Sequence, residues 1–265
     1  MATAPDAPEE LRPPGLLRTL GVPLAAALLA GWVISAGANE AVFRAVNGWP
    51  SVTGDALWAN LSVLGEGATM LALSAALIGR RPQLLLAALL AALLATLLLH
   101  GLKDLVATPR PGRALGAETI HIIGKSLSKR SFPSGHATTI FAAAALAWSL
   151  WRAAAARAAV LVLAVLVAAS RLAVGAHWPL DVLAGAALGW LCACSALHVV
   201  RRTGWPPATR WQLAVALPTL LASVYVALPD AESPGYELLR PVISLTGLAL
   251  GLPGLIRIGP YRRVE

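Results

Sequence analysis

The chain has 265 residues, 21 lysines and arginines against 13 aspartates and glutamates, and a formal net charge of +8. With 57% hydrophobic residues, only 13% charged and a mean hydropathy of +0.70, it departs from the roughly 25% charged composition of soluble domains, which excludes both an ordinary soluble domain and a disordered chain. Nucleic-acid binding is disfavoured because the basic residues are scattered between apolar runs and form no stripe.

Apolar stretches long enough for a bilayer core recur at 15–37, 57–78, 83–102, 136–151, 158–175, 181–200, 211–228 and 241–256. They are continuously apolar and rich in Ala and Leu, without the period-two alternation of an outer-membrane barrel, so they predict eight helices. The first run ends in Ala36-Gly37-Ala38, which has the small residues of a signal-peptidase site, but its length and the acidic Asp6, Glu9 and Glu10 before it favour a retained helix. The fourth and eighth runs are short, and Gly247, Gly251, Pro253 and Gly254 predict that the eighth is kinked or re-entrant. Cys192 and Cys194 sit one residue apart within the sixth run and read as small packing residues. The connections carry turn signals at Arg80-Arg81-Pro82, 109–116, 204–207 and 229–235.

Threading these runs alternately through a bilayer places twelve of the 21 basic residues on the side of both termini. Nine fall on the other side: Arg44, Lys103, Arg110, Arg113, Lys125, Lys129, Arg130, Arg171 and Arg240. The positive-inside bias then puts both termini in the cytoplasm and the 103–135 loop outside. Trp49, Trp58 and Trp178 on the outer level, and Trp148, Trp151, Trp205 and Trp211 on the inner, read as interfacial belts.

Three polar clusters stand at the outer ends of these helices: Lys103 with Arg110-Pro111, then Pro133-Ser134-Gly135-His136, then Ser170-Arg171 with His177 and Asp181. The threading brings all of them to one membrane face. Arg110 and Arg171 offer planar forks matched to phosphate oxygens, and Lys103 adds a point charge. The backbone near Ser134 and Gly135 opens a helix, whose N-terminus supplies N–H donors, and glycine permits close approach. Asp181, four residues after His177, can hold one imidazole nitrogen and leave the other nucleophilic, while His136 can protonate a departing oxygen. Each residue alone has a plainer reading. Lys103 and Arg171 could be snorkelling anchors, Ser134 a helix cap, His136 and His177 interfacial polar residues, and Asp181 a first-turn acid. It is their conjunction at one level that points to chemistry.

The segments read KxxxxxxRP from Lys103 to Pro111, PSGH from Pro133 to His136, and SRxxxxxHxxxD from Ser170 to Asp181. In this order and spacing they resemble the tripartite signature of the type-2 phosphatidic acid phosphatase superfamily. The resemblance covers about residues 57 to 200. It implies an all-α, polytopic transmembrane helical bundle with a six-helix phosphatase core and a metal-independent, cofactor-free site. In that site His177 is the nucleophile, Asp181 its orienting carboxylate and His136 the general acid. Lys103, Arg110, Ser134, Gly135 and Arg171 bind the substrate phosphate. Residues 1–14 read as a cytoplasmic tail, 15–200 as the core, and 201–265 as an extension with two further membrane helices that the resemblance does not explain.

The expected partner is a phosphorylated membrane lipid in a bacterial inner membrane, met at the periplasmic face, with undecaprenyl pyrophosphate the leading substrate. Phosphatidylglycerol phosphate, phosphatidic acid and phosphorylated lipid A are the alternatives, as are phosphotransfer to an acceptor such as lipid A and, in a different class, non-catalytic anion binding or transport. Outside the motifs, Glu66 is an intramembrane carboxylate that is either functional or a packing residue paired with a motif cation. Lys125, Lys129 and Arg130 either attract an anionic headgroup or form a solvated loop. His100, His121 and His198 read as structural.

Overall fold

The computed structural model describes residues 15–125, 130–203, 209–228 and 239–258, and every regular element among them is helical. In chain order these are α1 (Leu16–Ser35), α2 (Asn39–Asn47), α3 (Pro50–Thr53), α4 (Asp55–Val63), α5 (Gly67–Ser74), α6 (Pro82–Leu105), α7 (Pro111–Leu115), α8 (Gly135–Leu150), α9 (Ala154–Ala173), α10 (Pro179–Thr203), α11 (Thr209–Val226) and α12 (Leu239–Ile258), with 3-10 turns at Ala75–Leu77 and Ala117–Thr119. Proline opens α3, α6, α7 and α10, where the missing N–H costs nothing. Four helices, α6, α9, α10 and α12, are long and apolar enough to cross a membrane, and up to six spans result if each bent pair counts as one.

The departures from the expected runs have physical causes. The second run is not one rod: α4 and α5 are bent by 60° at Leu64-Gly65-Glu66, where two glycines flank the carboxylate. The eighth is not broken. α12 is continuous through Pro253, and Gly247, Gly251 and Gly254 let it lie directly on α5 and the 3-10 turn that follows it. Residues 39–53, between the first and second expected runs, form the short helices α2 and α3, turned 106° from α1. α2 is amphipathic, with Phe43 and Asn47 buried and an outward Arg44–Glu40 pair at 2.7 Å. The outer aromatic belt is corrected as well: Trp49 is exposed, but Trp58 and Trp178 are buried. Trp58 stacks on Trp49 and donates to Thr53, while Trp178 packs on Phe43 and donates to the Pro109 carbonyl. The 204–208 and 229–238 connections, with Trp205, and Lys129 lie outside the described residues.

α10 is the centre of the bundle, in contact with α8, α6 and α1, while α9 lies on α8 and α4 on α9. The α8–α10 seam is lined by small residues, among them Ala137, Ala144, Ala145, Ala186, Ala193 and Ala196. A side chain at Gly189 would collide with the Thr138 carbonyl, so the backbones meet closely, as helices do in lipid. Cys192 and Cys194 are buried free thiols. α11 and α12 pack on one another and on α5, so the C-terminal pair sits on the side of the bundle that carries the α4–α5 break.

Candidate active site

The polar side chains gather at one end of the α6, α8, α9 and α10 cluster. Three backbone devices bring them together. The α9–α10 connection is a tight turn in which the Ala176 and His177 N–H groups both donate to the Arg171 carbonyl. Gly175 takes φ +77° there, and a Cβ would also press on the His121 carbonyl. The loop before α8 is pinned by Ser131 N–H to the Thr108 carbonyl and Ser134 N–H to the Asp181 carbonyl, both 2.9 Å. Asn47 of α2 completes the frame, donating to the His121, Leu172 and Ala173 carbonyls.

His177 is 2% exposed. Its Nε2 lies 3.2 Å from an Arg110 guanidinium nitrogen that also donates to the Ala176 carbonyl at 2.9 Å. A guanidinium has no acceptor, so Nε2 must be the bare nitrogen and Nδ1 must carry the hydrogen. Nδ1 faces Asp181 Oδ2 at 3.4 Å. The structure therefore fixes one tautomer, with a lone pair on Nε2 aimed at the cations. Burial, with Arg110, Arg171 and Lys103 nearby, holds the His177 imidazole well below the ordinary histidine range, so the ring is neutral at pH 7. Burial also lowers the Arg110 guanidinium, and Asp181 opposes that shift.

The other expected site residues take these places. Arg171 is buried and donates to the Ser62 hydroxyl, while its Nε has no hydrogen-bond partner among the described residues. Lys103, half-buried at the end of α6, feels Arg110 and Asp181 electrostatically. His136, half-buried at the start of α8, lies in the field of Arg171, His177, Arg110 and Lys103. Ser134 caps α8, accepting from the Ala137 N–H at 3.4 Å, as its plainer reading expects. Among the described residues a Cβ at Gly135 would meet only Leu99 Cδ1 at 3.9 Å, so none of them demands glycine there. All eight expected residues thus converge on one face.

Ser131 belongs to this site and was not among the expected residues. It is fully buried, donates to Asp181 Oδ2 at 2.5 Å, and its oxygen lies 3.5 Å from His177 Nδ1. The same carboxylate oxygen accepts from the Trp178 N–H at 2.9 Å. Two donors therefore hold Asp181 while it faces the imidazole. The signal available in the sequence was a hydroxyl two residues before Pro133, which spacing alone could not connect to Asp181. His121, expected to be structural, pairs with Asp55 at 2.8 Å. Arg130 pairs with Asp104 at 3.1 Å, both exposed, which favours the solvated-loop reading for that residue.

Comparison with known proteins agrees with this geometry. Residues 84–205 match the PAP2 superfamily model. The chain is 35% identical over 117 residues to a lipid A 1-phosphatase of Rhizobium etli, which is 40% of this chain and 41% of that protein. It is 46% identical over 74 residues to the putative undecaprenyl-diphosphatase YbjG of Escherichia coli, 28% of this chain and 37% of that protein. The chain thus spans less than half the length of these curated relatives. The crystal structure of Aquifex aeolicus LpxE superposes with a TM-score of 0.55 at 30% identity, covering 60% of this chain and 94% of that one. Motif order, convergent geometry and these likenesses agree, and the chain belongs to the PAP2 superfamily.

Proposed function

We propose that the protein is a lipid phosphatase that cleaves a phosphomonoester or diphosphate headgroup at the periplasmic face of a bacterial inner membrane, through a phosphohistidine at His177 and with no metal or other cofactor. The observation that carries this is the bare Nε2 of a neutral His177, placed beside Arg110 and backed by Asp181. Lys103, Arg110 and Arg171 bind the phosphoryl oxygens and stabilise the charge spread over them in transfer, with N–H donors from the start of α8. Nε2 attacks the terminal phosphorus as its bond to the leaving oxygen breaks, the lipid's own oxygen in a monoester or the bridging oxygen in a diphosphate, and His136 gives that oxygen its proton. Water then attacks the phosphohistidine, His136 takes the water proton, and inorganic phosphate leaves.

Undecaprenyl pyrophosphate is the first substrate, supported by the positive-inside reading of the sequence, which expects the site at the periplasmic face, and by the likeness to YbjG. The likeness to lipid A 1-phosphatase and LpxE supports a second reading, lipid A carrying a 1-phosphate. Phosphate release by the purified protein in detergent and EDTA, across these two lipids, phosphatidylglycerol phosphate and phosphatidic acid, ranks them. Release confined to reactions that contain an acceptor lipid would replace hydrolysis with phosphotransfer. Release that needs an added divalent cation would overturn the metal-independent step.

Two expected results follow from the site. Protonation of His177 removes its lone pair, and burial has lowered its pKa, so on the acid side the rate does not fall until pH drops through a value well below 6.5. The profile of kcat/KM, corrected for ionisation of the substrate phosphate, should keep its acid limb below that of an ordinary histidine; a limb at or above 6.5 contradicts it. Ser131 acts as a positioning residue through Asp181. Ser131→Ala should lower kcat by about 10- to 100-fold, the scale of one hydrogen bond to a charged group, with KM little changed, and Ser131→Thr should restore much of the loss. A rise in KM alone, or equal loss in both variants, would assign Ser131 a merely structural part.

A further inference from the structure

An ion pair joins the C-terminal helices to the wall of the phosphate site. Arg240, in the first turn of α12, is 7% exposed, and its guanidinium lies 3.5 Å from Glu66 Oε2 at the α4–α5 break. α12 is anchored at the same level by the Leu239 N–H, which donates to the Asn60 side-chain oxygen at 3.1 Å. The break itself is part of the wall of the site. Ser62, four residues before Glu66, receives the hydrogen bond from Arg171, and a Cβ on Gly65 would lie 2.7 Å from His136 Cβ. Glu66 also attracts Arg171 electrostatically.

Glu66 thus pairs with one guanidinium, from the extension, and lies in the field of a second, from the phosphate site. Counting formal charges, Lys103, Arg110 and Arg171 against Asp181 leave the site at about +2, matched to a phosphate dianion. Glu66 alone would cut that to about +1 and compete with phosphate for Arg171. With Arg240 beside it the pair is neutral.

We propose that Arg240 is a positioning residue that holds Glu66 against the extension, so that Arg171 and the positive field of the site remain available to the phosphate of the substrate. The inference rests on the site binding phosphate, as proposed above, and it gives α11 and α12 a part in substrate binding. Charge bookkeeping fixes the order of effects. Arg240→Met removes the Arg240 charge from beside Glu66 and weakens phosphate binding. Glu66→Gln removes the competing charge and tightens it. The double variant, neutral again, returns to the wild-type value. Damage to packing alone cannot produce this pattern, because a second substitution in a damaged interface does not restore affinity.

The experiment measures the dissociation constant of inorganic phosphate by titration calorimetry for wild type, Arg240→Met, Glu66→Gln, the double variant and Arg240→Lys in one detergent, with lipid phosphate release measured alongside. The expected order is Glu66→Gln tightest, wild type, Arg240→Lys and the double variant together, and Arg240→Met weakest, each step being at least about threefold. Equal affinities throughout, or a double variant as weak as Arg240→Met, would overturn the proposal. Should Arg240→Met fail to accumulate, tightening by Glu66→Gln still decides, since affinity unchanged or weaker there contradicts it. Phosphate binding in the expected order without release from any lipid would count against hydrolysis and leave the role of Arg240 standing.

Discussion

His177→Ala is expected to lower phosphate release from the preferred lipid by at least about 10⁴-fold, because it removes the only group proposed to bond to phosphorus. Binding of the same lipid should remain measurable, since Lys103, Arg110 and Arg171 are untouched. Arg110 would lose its 3.2 Å contact to Nε2 but keep the Ala176 carbonyl, so its fork should stay in place. This separation of binding from turnover distinguishes an enzyme from an anion binder or transporter, for which the nucleophile is dispensable. Undiminished hydrolysis in the variant would remove the mechanism.

Asp181→Asn should cost nearly as much for a different reason. Asp181 Oδ2 already accepts from the Ser131 hydroxyl and the Trp178 N–H, and it faces the hydrogen-bearing Nδ1 of His177. If the amide oxygen stays on those two donors, Asn removes the negative charge that stabilises His177 as it becomes cationic on bonding phosphorus; if the amide turns, its NH₂ meets Nδ1 and favours the tautomer with hydrogen on Nε2, directed at the Arg110 guanidinium. The expected loss in kcat is about 10³- to 10⁴-fold, the scale of the same tautomer inversion in Ser-His-Asp triads, with lipid affinity close to wild type. A loss expressed wholly in KM would mean that Asp181 only shapes the phosphate pocket.

The convergence of Lys103, Arg110, Ser134, Gly135, His136, Arg171, His177 and Asp181 was legible because each sits at the end of an apolar run, and alternate threading has only two faces to offer. What stayed hidden depended on contacts between distant segments. Ser131 acquires a role only when the loop before α8 folds over Asp181, 50 residues on. His121 finds Asp55 66 residues away. Glu66 could be marked as an intramembrane carboxylate, but Arg240 belonged to a helix whose packing on α5 no periodicity shows. The short helices α2 and α3 lay outside every apolar run because Asn39, Glu40, Arg44 and Asn47 interrupt the hydropathy, while Phe43 and Asn47 tie the segment into the bundle. Hydropathy likewise gave the second run as one rod, because Glu66 is a single charge in an apolar window.

The most direct test of the account is to trap the intermediate. The purified protein, mixed with a lipid diphosphate labelled in its terminal phosphate and quenched with base within a turnover, should carry the label on a peptide containing residue 177. That label should be stable to alkali and lost in acid, as a phosphohistidine is, and absent from His177→Ala. Turnover in which no protein-bound label accumulates, even when His136→Ala is used to slow the water attack, or label found on any other side chain, would contradict nucleophilic catalysis by His177.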